Sequence, residues 1–181
     1  VIHQNKNFPE MFEAEAKGLK FIGETKSFRV PQVIQVGEEN IEESYLLLQF
    51  IHESPGSEKM FENFGRSMAE LHKNTWKAFG LAHSNYIGSL RQTNAPRGDW
   101  VPFFIEERLE PMIKLAVESK HLETSLAVRF ERIYKKIENM MPVEVPALLH
   151  GDLWSGNFIR QGDNVVLIDP AIYFGHREAD L

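Results

Sequence analysis

Residues 158–168, FIRQGDNVVLI, set two short apolar runs on either side of a Gly-Asp-Asn turn, a pattern that predicts a β-hairpin. A hairpin constrains more than its own residues, because it brings whatever precedes its first strand next to whatever follows its second. HGDLWSGN, residues 150–157, comes just before it and Asp169 just after. Asp152, Asn157 and Asp169 are therefore expected to converge.

The rest of the chain divides by hydrophobic period. PEMFEAEAKGLKFI, from Pro9, repeats Phe12, Ala16 and Leu19 at helical spacing and reads as a helix of about three turns. FRVPQVIQVG and SYLLLQFI are short and rich in β-formers, and read as two strands joined by the acidic loop EENIEE. Pro31 marks the first as an edge strand or a late-starting one. From Met60 the period becomes about 3.6, with Met60, Phe64, Met68 and Leu71 on one face. FGLAHSNYIGSLRQTNAPRGD reads as irregular and is a candidate substrate surface, and two helices follow near residues 100–118 and 122–140. HESPGS supplies linker residues near 52–57. The fold class is thus α+β, with residues 1–53 as one part and 54–181 as a mostly helical second part carrying the hairpin.

Two carboxylates and an amide have one clear use in common. Asn157 and Asp169 offer the hard oxygen ligands that Mg²⁺ accepts, which leaves Asp152 to take a proton from an attacking hydroxyl. Kinases divide labour this way in phosphoryl transfer, and the kinase signature H-R-D-L-x-x-x-N separates Asp and Asn by the same interval, with His and Leu in matching places. Turn chemistry alone also favours Asp, Asn and Gly. The second Asp, placed directly after an apolar strand, argues against that bland reading.

LLHGDLWSGN followed by LIDPAIYFGHREADL resembles the fructosamine kinase (ketosamine kinase) family, relatives of the aminoglycoside and choline kinases with a protein-kinase-like, two-lobed fold. MFEAEAKGL, VPQVIQVG, YLLLQFI, AELHK and FGLAHSNYIGSLRQTN extend the likeness over nearly the whole chain. The resemblance implies an ATP- and Mg²⁺-dependent enzyme that phosphorylates a sugar hydroxyl of ketosamines, with Asp152 as base and Asn157 and Asp169 as metal ligands. It also implies that Glu15 pairs with a nucleotide-gripping lysine, and that Gln49, Phe50 and Ile51 form the hinge that meets adenine. The family has a glycine-rich hairpin and that lysine upstream, yet the lysine's place falls near Ile2 or His3, with Lys6 at the wrong offset. With an opening on Val1 and Ile2 and a close on READL, the chain is expected to be a fragment that phosphorylates poorly alone.

The remaining conspicuous residues carry paired readings. His150 is expected to brace the loop rather than act as an acid or base. Trp154 is a candidate for facing the sugar or for packing the loop onto a helix, and His176 and Arg177 for binding substrate or locking the segment after Asp169. His72 is assigned to structure, while Arg108 is a minor substrate candidate. A kinase of another small alcohol, of aminoglycoside, choline or homoserine type, stays open. So do a phosphoester hydrolase with a metal on His150, Asp152, Asp169 and His176, and a non-catalytic nucleotide-binding domain.

Composition narrows the classes. With no cysteine there is no disulfide framework and no thiolate site, and a net charge of -6 speaks against non-specific nucleic-acid binding. No apolar run approaches the roughly 18 residues of a membrane span, and a cytoplasmic setting is expected. Oligomeric state leaves no trace in the sequence.

Overall fold

The computed structural model describes residues 2–4, 8–38 and 43–181. Strand β1 (Ile2–Gln4), which the sequence reading did not anticipate, leads into helix α1 (Met11–Thr25), and β2 (Val33–Glu38) and β3 (Glu43–Leu48) complete an antiparallel sheet in the order β1-β3-β2. Pro31 has both of its expected effects. The strand starts two residues later, at Val33, and lies at the sheet edge. Residues 39–42 of the acidic connection, and Lys6, fall outside the described residues.

Helix α1 runs to 15 residues because its apolar stripe continues past Leu19 to Ile22, both fully buried. Gly18 lies on this buried face. A Cβ there would sit 3.1 Å from Cγ of Pro170, so the glycine lets the helix backbone close on the residue after Asp169. Helix α2 (Met60–Leu71) buries Met60, Met68 and Leu71, with Phe64 packed against the same core beside Phe28 and Phe158.

The stretch expected to be irregular contains a hairpin, β4 (Asn85–Ile87) with β5 (Leu90–Gln92). Its inward residues are amides rather than aliphatics, so no apolar alternation marked it. Residues 100–118 are helical as expected but change register: α3 (Trp100–Phe104) passes through a π-helical turn, Ile105–Leu109, into α4 (Glu110–Glu118). Pro111 has no N–H for the carbonyl of Glu107, and the guanidinium of Arg108 donates to that oxygen instead, at 2.9 Å. Helix α5 (Thr124–Met140) follows, packed against α4.

The last strands hold the site. β6 (Ala147–Leu149) pairs with β9 (Tyr173–Gly175), and between them β7 (Phe158–Gln161) and β8 (Asn164–Leu167) form the expected hairpin. Gln161 faces Asn164, so the turn is Gly162-Asp163, with Gly162 at φ 60. The six residues HESPGS are bound along this ribbon: Ser54 N–H donates to Arg160 O at 3.0 Å, Ser57 N–H to Gly162 O at 3.0 Å, and Arg160 pairs with Glu53. Among the described residues no helix is long and apolar enough to cross a membrane.

Candidate active site

The loop after β6 is held by an imidazole and a carboxylate. His150 has no exposed surface, and burial lowers its pKa despite Asp180, the Ile168 carbonyl, Asp152 and Asp169, which all favour the cation. A neutral ring has one donor and one acceptor, and the surroundings use both. Nε2–H donates to Ile168 O at 3.0 Å, and Nδ1 accepts from Asp152 N–H at 3.3 Å. This is a bracing role.

Asp180 supplies the second hold. Its Oδ2 accepts from His150 N–H at 2.8 Å and its Oδ1 from Gly151 N–H at 2.9 Å, while His72 Nε2 lies 3.1 Å from Oδ2. His72 is therefore a structural residue, buried on the far side of this carboxylate. Gly151 sits at φ 84, and a Cβ there would fall 2.1 Å from Ala171 O. The loop at His150–Asn157 and the segment after Asp169 thus touch backbone to backbone, closed by Ala171 N–H to His150 O at 2.9 Å.

Asp152 and Asn157 are locked together. Asn157 Nδ2 donates to the carbonyl of Asp152 at 2.8 Å and to its Oδ2 at 3.0 Å, which leaves Asn157 Oδ1 as the amide's acceptor end. Ile168 N–H donates to Asn157 O at 3.0 Å, so the residue before Asp169 is bonded to both His150 and Asn157. Asp169 itself takes a left-handed backbone, φ 53, at the exit of β8.

Asp169 also lines a cavity of about 720 Å³, where it meets Glu15 of α1 and the strand-exit residues Gln49, Phe50 and Ile51. Phe50 is 78% exposed at its rim. Burial, then the charge of Asp169, pushes the Glu15 carboxyl up to about 7. Among the described residues no Lys or Arg forms an ion pair with it.

Other candidates are placed elsewhere. Trp154 is 61% exposed between Asp152 and Asn157, its ring lying over Gly156, where a Cβ would come within 2.4 Å. His176 has no exposed surface. Its Nε2–H donates to Pro142 O and its Nδ1 accepts from Glu178 N–H, so the expectation of substrate contact gives way to a structural role. Arg177 is engaged by both carboxylate oxygens of Glu144, at 2.8 and 2.6 Å, the locking alternative of its paired reading. Arg108 lies 4.1 Å from the Tyr173 ring and 4.7 Å from that of Phe103, and donates to Thr93 O and Asn94 Oδ1, which makes it a packing residue. With both nitrogens of His150 and His176 committed to the backbone, the imidazole-held metal of the hydrolase reading finds no ligands there.

Sequence reasoning missed Asp180 and the amides of β4 and β5. The buried acid carried no local signal, since its partners stand 30 and 108 residues away.

The class that this defines is an α+β protein in which a hairpin links the Asp152–Asn157 loop to the segment carrying Asp169 at the wall of a cavity. The fructosamine kinase family model matches residues 1–181, and the chain belongs to that family. It is 41% identical over 180 residues to the protein-ribulosamine 3-kinase, chloroplastic, of Arabidopsis thaliana, covering 95% of this chain and 54% of the relative. It is 39% identical to a probable ketoamine kinase of Enterococcus faecium, covering 99% of this chain and 64% of that one. A solved structure from Haemophilus somnus, of a protein named as a fructosamine-3-kinase, superposes with a TM-score of 0.87 at 29% identity, over 99% of this chain and 60% of that one. The chain spans a little over half to under two thirds of the length of these relatives.

Proposed function

We propose that this chain carries the nucleotide site and catalytic loop of an ATP-dependent kinase that phosphorylates a sugar hydroxyl of ketosamines. The observation that carries this reading is the Asp152–Asn157 lock, closed through Ile168 onto Asp169 at the wall of the Glu15 cavity. Residues 1–53 act as a nucleotide lobe and 54–181 as a catalytic lobe in the protein-kinase-like manner.

Each residue then has a task. The Asp152 carboxylate accepts the proton of the attacking hydroxyl, whose oxygen bonds to the γ-phosphorus as the bond to the ADP oxygen breaks. Asn157 turns its Nδ2 toward Asp152, and its Oδ1 with the Asp169 carboxylate forms a hard-oxygen donor set that fits Mg²⁺. Mg²⁺, when bound there, neutralises charge on the phosphates. Gln49, Phe50 and Ile51 offer backbone groups to adenine. Glu15 stands in the place of the acid that pairs with the family's nucleotide-gripping lysine, a cation that would return its carboxyl to the ordinary range. Trp154 presents its exposed face to the substrate. A cysteine-free, acidic chain of this kind is read as cytoplasmic, acting on a small-molecule or amine-linked ketosamine and not on nucleic acid.

The test is ADP release by the intact protein with fructose-lysine, ribulose-lysine and a panel of aminoglycosides, choline and homoserine. Stimulation by a ketosamine, and a loss of about 10²- to 10⁴-fold in Asp152→Asn, is expected. Stimulation by another alcohol alone replaces the substrate class. An Asp152→Asn protein as fast as the parent overturns the mechanism.

A further inference from the structure

Three amides, Asn85, Gln92 and Asn94, are all at least 95% buried at the β4–β5 hairpin. Buried amides are costly unless every group is matched, and an aliphatic set would fill the space more cheaply. Here they form one directed network. Asn85 and Gln92 are direct cross-strand partners. Asn85 Oδ1 accepts from Gln92 Nε2 at 3.0 Å and from Asn94 Nδ2 at 3.0 Å, and Asn94 Oδ1 in turn accepts from Arg108 at 2.6 Å. With its oxygen occupied twice, Asn85 has its Nδ2 aimed one way, at Ile172 O, 2.8 Å away. Gln92 Nε2 reaches Ala171 O at 3.2 Å.

Those two carbonyls belong to the segment that leaves Asp169. A non-glycine residue with a left-handed backbone is held uphill and persists only where its surroundings over-determine it. The surroundings here are Pro170 against Gly18 of α1, Ala171 N–H on His150 O, and the hairpin amides on the carbonyls of Ala171 and Ile172. We infer that Asn85 and Gln92 are positioning residues, whose buried amides hold the Ala171–Ile172 carbonyls so that the Asp169 carboxylate faces the catalytic loop. They thereby set the affinity of the site for its divalent cation. This inference rests on the reading of Asp169 as a metal-holding residue.

The experiment measures the Mg²⁺ concentration giving half-maximal rate in the intact protein, with saturating ATP and fructose-lysine, and thermal midpoints alongside. Gln92→Met keeps length and removes both donated bonds. It is expected to raise the Mg²⁺ requirement about tenfold, with the rate at saturating Mg²⁺ near that of the parent. Met68→Ala, a core variant of α2 whose side chain takes no part in this hydrogen-bond network, is expected to lower the thermal midpoint without changing the Mg²⁺ requirement. Should Gln92→Met fail to fold, Asn85→Asp, which turns a donor into an acceptor facing Ile172 O, carries the same expectation. A parental Mg²⁺ requirement in the folded amide variant, or an equal rise in Met68→Ala, overturns the positioning role while leaving the kinase reading intact. Asp169→Ala separates the two: full activity in that variant overturns the metal reading and the inference together.

Discussion

Asp180 holds the backbone N–H of His150 at 2.8 Å across 30 residues of sequence. One carboxylate thereby fixes the start of the His150–Asn157 loop at two backbone donors and, through His72, joins it to the end of α2.

Replacing this carboxylate by its amide, Asp180→Asn, leaves one acceptor where two backbone donors and an imidazole converge, and turns an NH₂ toward donors. Stability is expected to fall by about 2–3 kcal/mol, read from the shift in the urea midpoint at constant slope. A midpoint equal to the parent's would show that the three bonds contribute nothing net.

Gly151 and Gly162 both have positive φ, 84 and 60, but differ in surroundings. An added Cβ at Gly162 meets open space, so Gly162→Ala is expected to cost only backbone strain, about 1 kcal/mol. At Gly151 it meets Ala171 O at 2.1 Å, and Gly151→Ala is expected to cost about 3 kcal/mol or more, or to prevent folding. Thermal melts of the pair decide this by their order.

Glu15 links stability to pH. Folding lifts its carboxyl from 4.5 to about 7, so between those values the folded state keeps a proton that the unfolded chain has released. Stability conferred by that proton is present below 4.5 and is lost as pH rises through 7. Without nucleotide or Mg²⁺, Glu15→Gln is expected to exceed the parent at pH 8 by on the order of 1 kcal/mol, a value reduced for partial exposure, and to match it at pH 4. Equal urea midpoints at pH 8 would contradict the raised carboxyl.

Trp154 presents most of its ring to solvent and so contributes little to the fold. Trp154→Ala is expected to leave stability within about 0.5 kcal/mol. Under the proposed function its KM for the ketosamine rises about tenfold, the loss of one aromatic contact of about 1.4 kcal/mol. Unchanged steady-state kinetics would remove the ring from the substrate site.

Local periodicity made much of the fold legible. Met60, Phe64, Met68 and Leu71 declared α2, Pro31 declared the late edge strand, and the Gly-Asp-Asn turn declared the hairpin that ties Asn157 to Ile168, the residue before Asp169. The β4–β5 hairpin was hidden because its inward residues are polar, and the π turn because Pro111 and Arg108 act together across it. His176 read in sequence as either a substrate contact or a lock on the segment after Asp169, and folding left it no exposed surface and two backbone partners.

The sequence by itself determined helices α1, α2 and α5, strands β2 and β3 and the β7–β8 hairpin, and singled out the short pattern of the candidate site, since propensity, apolar period and turn preference are properties of neighbouring residues. Only the tertiary structure decided which polar groups are buried and whom they face. Asp180 on His150, Asn85 on Ile172 and Glu15 beside Asp169 are contacts between distant segments, and the cost of burying a polar group depends on partners that only the folded chain supplies.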